Sequence, residues 1–120
     1  MKSFLKMLLV AGVFAASLGV VQDEALAEPM VSSWYGPGFE GAVTASGEVY
    51  NYGDYTAAHP YLPIGTDLLV SYGGNSVVVE VNDRGPYVAG RDLDLSQAAA
   101  EEIGLTYAGT DVVDVEVIGH

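Results

Sequence analysis

In the second half of the chain, hydrophobic positions fall into short runs with a period of two, broken by glycine and proline. Residues 66–72 alternate well enough to predict a strand. Gly73-Gly74-Asn75 reads as a hairpin turn into Ser76-Val77-Val78-Val79-Glu80, a β-branched run that continues as a strand to Asn82. Gly85-Pro86 cannot extend that ladder, because proline has no N–H to give and Gly-Pro favours a turn. Val113, Val115 and Val117 alternate with Asp114 and Glu116, a half-buried strand near the end of the chain. Earlier, Val31-Ser32-Ser33-Trp34-Tyr35 predicts a first strand ended by Gly36-Pro37-Gly38. Thr56-Ala57-Ala58-His59 predicts a short strand stopped by Pro60 and Pro63, and residues 39–55 read as a long loop. Asp92-Leu93-Asp94-Leu95 is a further extended piece. Ser96 is placed to cap a helix over residues 97–103, with Gly104 as its stop. Glu101 and Glu102 oppose the macrodipole at the end of that helix, so packing must help hold it. Several short strands, one or two short helices and many glycines argue for a small, mostly-β barrel with no repeat and no second domain.

The N-terminal hydrophobic run follows a different rule. Lys2 and Lys6 precede an apolar stretch of about 15 residues, and Ala25-Leu26-Ala27 stands before Glu28. This is the pattern of a signal peptide over residues 1–27, too short for the about 20 residues of a membrane span. Secretion to a periplasmic or cell-wall location is therefore expected, leaving one domain over residues 28–120. The chain contains no cysteine. That excludes disulfides, thiol catalysis and a lipid-modified cysteine, so no lipid anchor is expected. From Glu28 onward only Arg84 and Arg91 face fourteen carboxylates, a net charge of -12. Such a charge repels nucleic acid and anionic lipid. The expected mature protein is a monomer.

Candidate chemistry concentrates where strands give way to loops. Asp83 and Arg84 end the valine-rich strand just before Gly85-Pro86. Strict alternation places Asp83 on the same face as Val77, Val79 and Val81. If that is the core face, partial desolvation raises the pKa of Asp83, as a general acid needs. The alternative is an aspartate that caps the turn while Arg84 neutralises it. Glu48 and His59 are the other polar candidates. Their alternatives are a solvated loop residue and a packed, hydrogen-bonded histidine. Together the three supply an acid, a base and a tunable imidazole. Trp34, Tyr35, Tyr50, Tyr52, Tyr55, Tyr61 and Tyr87 fall in or near the loops, where aromatic faces can stack on sugar rings. Two histidines do not make a zinc site, and Asp92 with Asp94 lacks calcium-loop spacing, so neither metal nor cofactor is expected.

Six segments occur in order: Ser33-Trp34-Tyr35-Gly36-Pro37-Gly38-Phe39, Thr44-Ala45-Ser46-Gly47-Glu48, Thr56-Ala57-Ala58-His59, Leu62-Pro63-Ile64-Gly65-Thr66, Val81-Asn82-Asp83-Arg84-Gly85-Pro86-Tyr87 and Asp94-Leu95-Ser96. In that order they resemble the barrel domain of the rare lipoprotein A (RlpA) family, over about residues 31–117. The resemblance implies a six-stranded double-psi β-barrel related to expansins and barwin-like domains. It also implies lytic transglycosylase activity on peptidoglycan glycan strands. The family's catalytic aspartate falls on Asp83, its glutamate on Glu48 and its histidine on His59. Trp34, Tyr35, Asn82, Arg84 and Tyr87 are the expected substrate-binding positions. Ordinary glycosidases need two carboxylates. A lytic transglycosylase can work with one, because the sugar's own C6 hydroxyl attacks C1. The alternative is an expansin-like module that binds and loosens a wall without cutting it, and a secreted inhibitor or interaction module is a third class.

Overall fold

The computed structural model describes residues 27–120. Of the expected signal peptide, all but Ala27 lies outside the described residues. Six strands close into a barrel: β1 (Glu28–Trp34), β2 (Thr56–Ala58), β3 (Asp67–Tyr72), β4 (Asn75–Asp83), β5 (Leu93–Leu95) and β6 (Asp111–Gly119), in the spatial order β1-β5-β2-β4-β3-β6. The β1–β5 and β2–β4 pairs are parallel and the remaining pairs antiparallel. The loops that carry the candidate site, residues 35–55 and 84–92, join β1 to β2 and β4 to β5, strands that are not neighbours in the barrel. Two short helices, α1 (Gln97–Ile103) and α2 (Leu105–Ala108), complete the mostly-β architecture expected from the pattern of positions.

The inward face is apolar. Val77, Val79 and Val81 from β4 meet Leu68 and Val70 from β3, Leu93 and Leu95 from β5, and Val113 and Val115 from β6. Ala99, Ala100, Ile103 and Leu105 pack onto the same cluster, so burial offsets the unfavourable glutamates of α1. The alternation of β6 ends sooner than its sequence suggests, since Val117 is 46 % exposed. The β3–β4 hairpin turns through Gly73 and Gly74 alone, and Tyr72 already pairs with Asn75. Both glycines have positive φ, at 57° and 87°, as a two-residue turn matching the strand twist requires.

Ser96 does more than cap α1. Its Oγ accepts from Ala99 N at 3.3 Å and from Thr56 N at 3.3 Å, and donates to Asp54 O at 2.6 Å. One buried hydroxyl thus ties helix, barrel strand and loop together.

The decisive local feature lies between β2 and β4. Thr56 pairs with Glu80 and Ala57 with Val81, but Ala58 pairs with Asp83, so the register slips by one residue. Val81 and Asn82 are both buried in succession. A bulge of this kind re-aims the side chain beyond it. The sequence-based placement of Asp83 on the Val77–Val79–Val81 face is therefore corrected. The extra residue moves Asp83 to the opposite face, beside Ala58.

Candidate active site

Ala58 is the centre of a row of residues at one level of the barrel. On one side it pairs with Asp83 of β4, on the other with Asp94 of β5, and Asp94 pairs in turn with Ser33 of β1. Leu93 and Leu95 point into the core, so Asp94 between them points outward to the same side as Ala58. Asp83 and Asp94 both line one cleft of about 290 Å³, together with Tyr35, Phe39, Tyr50, Arg84 and Tyr87. Ala58 carries only a methyl group between them, and it is buried in a cluster with the Tyr35 and Tyr50 rings.

Three donors fix the Asp83 carboxylate. Tyr35 Oη donates to Oδ2 at 2.6 Å, while Ala45 N and Arg84 N donate to Oδ1 at 2.8 and 2.9 Å. The same carboxylate holds the backbone of its own turn, as the turn-capping alternative expects, and lines the cleft. Tyr35 stacks on Tyr50, with centroids 4.5 Å apart and planes 15° apart, and meets Phe39 edge-on at 5.5 Å. Burial pushes the Tyr35 hydroxyl far up, and its bond to Asp83 adds to this, so it remains a donor. The ring is a rigid arm delivering that donor.

Burial also pushes the Asp94 carboxyl up to about 6. Ser33 Oγ, which donates to Asp94 Oδ1 at 3.2 Å, and the charge of Arg91 pull the other way, while Asp83 adds to the rise. The cleft thus holds two carboxyls in unlike surroundings, Asp94 pushed up by burial and Asp83 held by three donors.

The other sequence candidates surround this cleft without entering it together. Glu48 is exposed, and its Oε1 accepts from Asn82 Nδ2 at 3.0 Å. The two residues line a neighbouring cleft with Asp54, Tyr55 and Glu80. Asn82 also accepts from Ser46 N at 3.0 Å through its carbonyl, fastening the loop that carries Ala45 against β4. His59 is buried, and its imidazole lines a separate cleft with Glu28, Met30 and Asp92. Its Nδ1 accepts from Tyr61 N at 3.2 Å and Leu62 N at 3.1 Å, so the ring is neutral with its proton on Nε2. Burial and the charge of Arg84 both lower its pKa. The packed, hydrogen-bonded histidine is what the geometry displays, although His59 N reaches Asp83 O at 3.2 Å. Arg84 Nη1 donates to His59 O and Leu62 O at 3.2 and 2.8 Å, bracing one wall of the Asp83 cleft. Tyr87 stands at the rim, 81 % exposed. Trp34 is half-buried against the barrel core. Gly85 supplies the turn between Asp83 and Tyr87 with φ of 115°, a region side chains rarely adopt.

Asp94 is the functional candidate that sequence reasoning passed over as part of an incomplete metal pattern. Its one signal was the ordered segment Asp94-Leu95-Ser96, since a polar residue between two inward leucines is ordinary strand alternation.

The lytic transglycolase family matches residues 28–117, the whole barrel from β1 into β6. This chain belongs to that family. An endolytic peptidoglycan transglycosylase RlpA of Campylobacter jejuni is 50% identical over 91 residues, covering 74% of this chain and 33% of that protein. Another of that name, from Vibrio cholerae, is 51% identical over 89 residues, covering 72% of this chain and 34% of that protein. The chain therefore spans about a third of the length of these curated relatives. Among solved structures, the Streptomyces papain inhibitor superposes with a TM-score of 0.63 at 21% identity, over 77% of this chain and 94% of that one. The apo expansin of Clavibacter michiganensis superposes with a TM-score of 0.62 at 20% identity, over 77% and 50% of the two chains. Those likenesses establish the RlpA-like double-psi barrel as a shared fold.

Proposed function

We propose that this protein is a peptidoglycan lytic transglycosylase that cleaves MurNAc–GlcNAc bonds and leaves 1,6-anhydroMurNAc ends, with Asp83 as its general acid/base. The observation that carries this reading is the Asp83 carboxylate, held by three donors at the floor of an aromatic-edged cleft. Membership of the lytic transglycolase family supports it. In the cycle, a carboxylic acid protonates the leaving glycosidic oxygen, the C6 hydroxyl of the same sugar attacks C1, and a carboxylate takes the hydroxyl's proton. No water is consumed. Tyr87 and Phe39 offer aromatic faces to the glycan, and Glu48 and His59 support the loops around Asp83.

The test is mass spectrometry of the products released from purified peptidoglycan and from peptide-free glycan strands. Soluble fragments ending in 1,6-anhydroMurNAc are expected. Reducing ends would identify a hydrolase, and binding without soluble products would leave the expansin-like reading standing.

We further propose that the protein is exported by a signal peptide cleaved after Ala27 and acts as a monomer at the cell wall. N-terminal sequencing of protein from the culture medium or periplasm is expected to begin at Glu28. Protein that still begins at Met1 would refute export by cleavage.

A further inference from the structure

Two carboxyls share the cleft, and the single-carboxylate cycle uses only one of them. Asp83 and Asp94 occupy equivalent levels on β4 and β5, the two neighbours of β2, and both flank Ala58. Their backbones are thus two interstrand spacings apart, roughly 9.5 Å. Both side chains stand on the face of Ala58 and line one cleft, so a glycosidic bond bound there can present different atoms to each.

Their surroundings differ in kind. Every partner of the Asp83 carboxylate donates to it: Tyr35 Oη, Ala45 N and Arg84 N. Asp94, among the described residues, receives one side-chain hydrogen bond, from Ser33. It is half-buried on a short strand whose flanking Leu93 and Leu95 are fully buried on the opposite face.

We infer that Asp94 is the carboxyl that donates the proton to the leaving glycosidic oxygen, and that Asp83 keeps the accepting half of the cycle; this assignment rests on the transglycosylase reading above and divides between two carboxyls the acid/base role given there to Asp83 alone. The Asp94 O–H bond breaks as its proton passes to the glycosidic oxygen, and the C1–O bond breaks with its electron pair leaving on that oxygen. The C6 oxygen forms the new bond to C1 and its proton passes to an oxygen of Asp83. One carboxyl ends the cycle deprotonated and the other protonated. Proton exchange with solvent through the open cleft restores both, so no further reagent is needed.

The groups that set the Asp94 titration come from four parts of the chain. Ser33 faces it from β1, Asp83 from β4, Tyr35 and Tyr50 from the loop after β1, and Arg91 from the segment before β5. Arg84 lines the same cleft. Because the donor must be protonated, cleavage is expected to fall about tenfold per pH unit above about pH 6.

The experiment measures anhydro-product release by wild type, D94N and S33A across pH, with pull-down on glycan strands and thermal melting alongside. D94N is expected to lose at least about a hundredfold in rate, with glycan binding retained and the alkaline limb gone from any residual activity. S33A removes a hydrogen bond that stabilises the ionised form, so its alkaline limb is expected to move to higher pH. A purely structural role for Asp94 would move neither limb, and S33A reports on it even if D94N fails to fold. D94N retaining more than about a third of the wild-type rate while D83N is inactive overturns this assignment alone. An S33A limb that stays in place overturns it too. Wild-type protein that releases no anhydro products overturns the transglycosylase reading and this assignment with it.

Discussion

D83N protein is expected to cleave glycan strands at least about a hundredfold more slowly than wild type, the usual scale for removing a general acid or base. The substitution is nearly isosteric, and the hydrogen bonds around position 83 let the fold survive it. Ala45 N and Arg84 N both donate to Oδ1, a role the asparagine carbonyl can fill. The amide group then meets Tyr35 Oη, which turns from donor to acceptor. The melting temperature and sedimentation with peptidoglycan are expected to stay close to wild type, so that the loss is confined to turnover. Product release within about threefold of wild type would remove Asp83 from the chemistry. A collapse of stability without a matching loss per folded molecule would assign it to turn capping.

The second large effect concerns the barrel itself. Leu95 is fully buried, pairs with Trp34 on β1 and Ala57 on β2, and its carbonyl accepts from Tyr35 N at 2.8 Å. L95A removes most of that side chain from the closed interior between Leu93 and the helix residues Ala99 and Ile103. Barrel strands held on both sides cannot collapse far into the space, so a loss of about 2–5 kcal/mol is expected. For a domain of this size that corresponds to a fall in melting temperature of roughly 10–30 °C. Calorimetry or circular dichroism on heating measures it, with V112A as the control. Val112 is 50 % exposed, so its truncation is expected to change stability by no more than about 0.5 kcal/mol. A drop below about 5 °C for L95A would mean that the interior relaxes around the lost side chain.

The consequence of placing Leu93 and Leu95 in the core is functional as well as structural. Residues alternate across a strand, so anchoring the two leucines inward forces Asp94 outward at the level of Ala58 and Ser33. On that outer face Tyr35 and Tyr50 line the cleft with Asp94, and burial is the main cause of its raised pKa. The Tyr35–Tyr50–Phe39 group also serves Asp83, because a stacked, buried ring holds its hydroxyl where a free loop tyrosine would wander.

The sequence by itself determined the elements and the neighbourhood of the chemistry. The Gly73-Gly74 hairpin, the Ser96-capped helix ending at Gly104 and the valine-alternating strands of β4 and β6 are local decisions, written in turn residues, caps and a period of two. The ordered motifs from Ser33 to Ser96 likewise marked Asp83 and its loop. What alternation could not give was the face on which Asp83 lies. It is set by the slip between Ala57 and Ala58, a property of how β2 pairs with β4 and not of either strand alone. Pairing between strands far apart in sequence also brought Asp94 level with Asp83 and sent the imidazole of His59 into a different cleft. Periodicity reports the side of a strand that a residue would occupy in an unbroken ladder. Only the closed barrel decides where the ladder breaks, which carboxyls then share a cleft, and how far each is buried.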